Sequence, residues 1–134
     1  MFTVVPLIAA IAPFILWPIE LFLPYPYIIE ELLKATLIYF VIDLSNKATQ
    51  IKITLASGLI FSLSETILYI FNISLVGDLT TLLTRFTLTT ILHSLTMFII
   101  LISSFKTKWL MPTGVLVAML IHYLFNMVIP NIFT

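Results

Sequence analysis

The sequence predicts an all-α protein: a polytopic membrane helical bundle of about five transmembrane helices, folded as a single integral membrane domain over residues 1–134. Three observations predict it. The chain is 61% hydrophobic, more apolar side chain than a domain of this size can bury in a core of its own. Only 9% of its residues are charged, against roughly 25% in soluble domains, and its mean hydropathy is +1.21. The apolar residues also fall into runs close to the about 20 residues that cross a hydrocarbon core. The solvent these runs require is lipid. A formal net charge of zero gives no reason to expect a nucleic-acid partner. The absence of cysteine excludes disulfides, thiolate metal sites and a cysteine nucleophile.

The first span is expected near residues 3–23. It carries Pro6, Pro13 and Pro18, which are expected to kink or interrupt it, and Glu20 near its end. It lacks a basic leader, so it reads as a retained helix and not as a cleaved signal peptide. Pro24, Tyr25 and Pro26 separate it from a second span near 27–44. A polar connector, residues 45–52, leads to a third span near 53–76. Gly77 and Asp78 turn the chain into a fourth near 79–103, and Lys106, Thr107 and Lys108 into a fifth near 110–132.

Orientation follows from the lysines. Lys47 and Lys52 fall in the second connector, Lys106 and Lys108 in the fourth, and the other connectors carry none. Five spans put those two connectors on one side, and the positive-inside rule makes that side cytoplasmic. The expectation is an integral protein of a prokaryotic plasma membrane, N-terminus inside and C-terminus outside.

Ionisable residues inside a membrane are functional candidates by default. Counting along the spans places Glu30, Glu31, Lys34, Glu65, Arg85, His93, His122 and Asn126 in the outer half of the bilayer or near its midplane. One leaflet shared by four helices implies one shared polar site. The spacings agree: Glu30 and Lys34, then Phe61, Glu65 and Tyr69, then His122 and Asn126, are all i,i+4 rows. The threonine-rich fourth span reads as a bundle-facing polar stripe. Each residue also has a structural reading. Glu30 and Glu31 suit a helix N-terminus after Pro26. Lys34 can snorkel or pair with Glu30. Glu65 can form a structural ion pair with Arg85, and His122 with Asn126 can be interhelical glue. Asn72 opens a glycosylation sequon, a frequent chance match.

Two mechanisms fit this set. In one, a glutamate takes a proton from water, and His122 and Asn126 donate to the developing oxyanion. This mechanism requires no cofactor. In the other, His93, His122 and Glu65 or Glu31 hold zinc, which activates the water. No HExxH spacing supports the metal set, and Ser64, although beside Glu65, lacks a nucleophile motif.

Glu30-Glu31-x-x-Lys34, then Phe61-x-x-x-Glu65-x-x-x-Tyr69, then Arg85 with His93, then His122-x-x-x-Asn126 resembles the PrsW family of intramembrane proteases. That family is related to the CAAX prenyl endopeptidases and bacteriocin-immunity-type (CPBP) membrane proteases. The resemblance covers most of the chain and implies an intramembrane endopeptidase that cuts a membrane protein or peptide near the outer leaflet. In PrsW-type proteins the substrate is an anti-sigma factor, cut at an extracytoplasmic site. The resemblance implies Glu30 as the base, Glu31 supporting it, His122 and Asn126 as oxyanion donors, and Glu65, His93, Lys34, Arg85 and Tyr69 completing the site. Glu65 stands where the CAAX-type pattern has histidine, which favours the PrsW side and leaves a metal open. Two other functions compete. One is a non-enzymatic membrane subunit or immunity-type module that binds a partner. The other is a proton-coupled transporter using Glu65 and the histidines as a relay, against which stands the lack of inverted repeats.

Overall fold

The computed structural model describes residues 4–44, 46–72 and 79–128. Within them the chain forms five α-helices and no strand: α1 Val4–Glu20, α2 Pro26–Val41, α3 Lys47–Asn72, α4 Leu79–Ser104 and α5 Met111–Val128, the last entered through a 3-10 turn, Lys108–Leu110. The all-helical membrane class holds. Three of the helices are long and apolar enough to cross a membrane: α3, α4 and the segment Lys108–Val128. The other two are shorter, α1 at 17 residues and α2 at 16.

Two local expectations are corrected. The prolines do not interrupt the first helix. Pro13 and Pro18 sit inside α1, and the helix runs on through both. Each removes a backbone donor, but Val5, Ala9, Ala12, Pro13 and Leu16 make one buried stripe against the bundle. That packing outweighs two missing hydrogen bonds. The third helix also starts six residues before the expected position 53, so Lys47 and Lys52 lie on α3 and not in a connector. Asn46 explains the start. Its Oδ1 accepts from the backbone N–H of Ala48 at 2.8 Å and of Thr49 at 3.4 Å, as an N-cap does. Gln50 then closes the turn by donating to the carbonyls of Ile42 and Leu44 at 3.1 and 2.5 Å. The Gly77–Asp78 turn and most of the Asn72 sequon lie outside the described residues.

α3 packs along α1 on one side and α4 on the other, and α4 packs along α5. α2 closes this row and touches all four other helices. Small residues let α4 approach its neighbours. Gly58 of α3 lies against the backbone of Ser94, and Gly114 of α5 lies against Ser103 and Ile100. Hydroxyls add to the α3–α4 seam, with Ser62 Oγ 2.9 Å from Thr89 Oγ1 and 3.0 Å from Thr90 Oγ1. The apolar core is bridged by α2, whose Leu37 and Ile38 belong to one cluster with Ala9 and Ala12 of α1, Met97 and Ile100 of α4 and Ala118 of α5.

Candidate active site

The inward face of α2 is mixed. Glu31, Lys34, Leu37, Ile38 and Val41 are all buried, so the charged residues share the stripe that packs the helix. α2 begins at Pro26, which leaves its first turn free of acids. Glu30 and Glu31 therefore do not cap a helix N-terminus. They turn into the bundle, and so does Lys34.

The side chains there form two carboxylate–histidine pairs. Lys34 Nζ donates to Glu31 Oε1 at 2.6 Å, and the same oxygen accepts from His122 Nδ1 at 2.8 Å. Glu31 and Lys34 are both 0% exposed, which makes Glu31 a fully enclosed anion between two donors. Across the site, His93 Nε2 donates to Glu65 Oε2 at 2.5 Å. The two imidazoles meet edge to face, with ring centroids 5.6 Å apart. Phe61 supports both clusters: its ring lies 4.9 Å from that of His93 and 5.2 Å from Lys34 Nζ. Lys34 also reaches Thr96 Oγ1 at 3.4 Å.

Glu30 is placed differently. Its Oε2 is buried, has no hydrogen-bond partner among the described residues, and lies 4.0 Å from His122 Nε2. It lines a cavity of about 320 Å³ together with Trp17, Glu20, Phe61, Glu65, Tyr69 and Arg85. A second cavity, of about 210 Å³, is lined by Glu65, Arg85, Thr89, His93, His122 and Asn126 among others. Glu65 and Arg85 belong to both walls.

The structure brings the sequence-predicted residues near one another but changes two of the expected pairings. Lys34 pairs with Glu31 and not with Glu30, because the rotation of α2 sends position 31 inward and position 30 to the cavity. Glu65 pairs with His93 and not with Arg85, whose guanidinium carbon instead sits 3.8 Å from the centroid of the Tyr69 ring. Asn126 lines the second cavity but is exposed. Glu20 was missed as a site residue. Half-buried at the end of α1, it shares the first cavity with Glu30. Its signal was being the one ionisable residue of the first helix.

The fold and these groups define a class: a membrane-embedded helical bundle with two carboxylate–histidine pairs, one of them fully enclosed, beside an internal cavity. Over residues 8–133 the chain matches the PrsW family of intramembrane metalloproteases, and it belongs to that family. It is thus an integral membrane protease, and its substrates are membrane proteins met within a lipid bilayer. Neither a curated protein nor a solved structure matches the chain.

The family description implies a metal, and the donor types present would suit zinc. Their arrangement does not. Among the described residues no three histidines or carboxylates converge on one point. In the expected set, His93 Nε2 is joined to Glu65, and His122 Nδ1 is joined to Glu31. The nitrogens left open are His93 Nδ1, buried with no partner among the described residues, and His122 Nε2, which faces Glu30.

Proposed function

We propose that the protein hydrolyses a peptide bond of a membrane protein near the outer leaflet, using water activated by Glu30. The observation that carries this reading is the contrast between two adjacent glutamates. Glu31 is held by Lys34 and His122, whereas Glu30 presents an unpaired oxygen at a cavity. A general base must have a lone pair within reach of the water it deprotonates. Both glutamates keep an unpartnered Oε2 among the described residues, but Glu30 lines the cavity where water can enter, whereas Glu31 is fully enclosed and held by Lys34 and His122.

The roles follow. Glu31, fixed by Lys34, holds the His122 ring through Nδ1, as a carboxylate orients a catalytic imidazole. His122 Nε2 then sits beside Glu30 and can accept or return its proton. Glu65 fixes His93 in the same way on the opposite wall. Glu30 takes a proton from water, the hydroxide adds to the carbonyl carbon, and the proton passes to the departing amine. Asn126, on the wall of the second cavity, can donate to the oxyanion.

The lysines support an outward-facing site. Lys47 lies over Phe105, with its Nζ 5.0 Å from the ring centroid, and Lys108 binds Asp43 at 2.5 Å. These contacts gather basic residues at the end of the bundle away from Glu30. By the positive-inside rule that end is cytoplasmic, in a prokaryotic plasma membrane.

The test is cleavage of a single-span substrate by the purified protein in detergent, wild type beside Glu30→Gln, with bound metal measured on the same samples. The expected result is cleavage by wild type, loss in the variant with its fold intact, and no stoichiometric metal. Cleavage that depends on bound zinc would move the chemistry to the histidines and refute the glutamate base.

A further inference from the structure

Once the ion pairs are assigned, the cation that lines the two cavities has no carboxylate partner among the described residues. Arg85 is the only arginine of the chain. Lys34 is bound to Glu31 and Lys108 to Asp43, but among the described residues no carboxylate lies within ion-pair distance of Arg85. An arginine inside a membrane with no carboxylate in direct ion-pair contact is costly, and such residues mark functional sites. Its guanidinium is not loose. It lies at stacking distance over Tyr69, an arrangement that occupies the face of the group and leaves the N–H donors at its edge free. Arg85 lines both cavities, the one that holds Glu30 and the one that holds His93, His122 and Asn126.

The donors so far expected at the oxyanion fall short. His122 gives its Nδ1–H to Glu31, so the neutral ring has only a lone pair at Nε2 and nothing to donate there. Asn126 is exposed and supplies one neutral amide. A cation fixed against Tyr69, with no ion-pair partner among the described residues, meets the requirement better, because its interaction grows as negative charge develops.

We propose that Arg85 is the principal donor to the oxyanion formed during peptide hydrolysis, in place of His122. The proposal rests on the reading of Glu30 as the base. As Glu30 removes a proton, the water oxygen bonds to the carbonyl carbon and the π pair moves onto the carbonyl oxygen. That oxygen accepts N–H from Arg85. When the pair returns, the C–N bond breaks and the amine takes the proton held at Glu30. One water is consumed, and a carboxyl and an amine result. Tyr69 is a positioning residue that keeps the guanidinium edge directed at the carbonyl.

The experiment compares wild type, Arg85→Ala, Arg85→Lys and Glu30→Gln on one single-span substrate in detergent, reading kcat, KM and Tm, with and without added guanidinium at sub-denaturing concentration. The expected result is a kcat lower by about 10²–10³ in Arg85→Ala, the loss typical of an oxyanion donor, with KM and Tm unchanged. Guanidinium should restore part of the rate to Arg85→Ala and none to Glu30→Gln, and Arg85→Lys should fall between. A raised KM at unchanged kcat would make Arg85 a substrate anchor and overturn the proposal. So would a loss of rate that tracks a lower Tm and is not rescued. A wild-type rate that rises with added anionic lipid, while Arg85→Ala does not respond, would assign the arginine to a lipid phosphate and equally overturn it. If Glu30→Gln keeps the wild-type rate, the base assignment underneath falls instead, whatever Arg85→Ala does.

Discussion

Replacing Lys34 by methionine keeps much of the side chain's bulk and removes its charge. Lys34 Nζ is 2.6 Å from Glu31 Oε1, and both side chains are fully enclosed. At an effective dielectric of about 20, opposite unit charges at that separation attract by roughly 6 kcal/mol. Desolvation offsets most of this, so the intact pair adds little net stability. Breaking it is another matter. In Lys34→Met the Glu31 carboxylate stays buried with His122 as its remaining donor, and an uncompensated buried charge costs about 3–5 kcal/mol. The variant should melt at least about 10 °C below wild type in the same detergent, by the usual scaling of Tm with stability. The double variant Lys34→Met/Glu31→Leu removes both charges and should recover most of the loss, because the anion left stranded by the single change is gone. Thermal unfolding of the two variants beside wild type and Glu31→Leu completes the cycle. If Lys34→Met melts with wild type, or if the single and double variants fall equally, then the enclosed ion pair does not govern this part of the bundle.

Two further changes test the packing and the surface. Gly58→Ala should destabilise by about 1–3 kcal/mol, because a Cβ there would lie 2.6 Å from the Ser94 Cα and force α3 from α4; the same melt reads it. Lys108→Ala should change Tm by almost nothing, since its bond to Asp43 joins two side chains more than half exposed, and such pairs contribute about 0–1 kcal/mol.

Most of the helix content was legible because the apolar runs are long and their punctuation is strong. The site was legible for a related reason: in so apolar a chain, each ionisable residue stands out, and depth along the helix follows from counting. Rotation about the helix axis does not follow in the same way. Glu30 and Glu31 differ by one residue, about 100° of turn, and Lys34 is within reach of either by i,i+3 or i,i+4 spacing. Only the packing of α2 against its neighbours decides that position 31 is enclosed and position 30 meets the cavity. The same limit hid the Glu65–His93 bond, since it depends on how α3 and α4 face each other. Glu20 was hidden by distance in sequence, for nothing in α1 announces that its last residue reaches the cavity of α2 and α3. The start of α3 was misjudged for a chemical reason. Residues 45–52 look like a loop by polarity, but Asn46 is a cap, and a cap draws polar residues onto the first turns of a helix.

The shortness of α2 has a consequence for the surrounding lipid. Its 16 residues rise about 24 Å, less than the about 30 Å of a hydrocarbon core. Hydrophobic mismatch of this sign is relieved by thinning of the adjacent leaflets. A bilayer meeting α1 and α2 would thin beside them, drawing its headgroup layer toward the end of α2 that carries Glu30. A substrate helix drifting into that dimple would have its outer turns lifted out of hydrocarbon. There water competes for their backbone hydrogen bonds, so the peptide would arrive already loosened at the glutamate proposed to activate water.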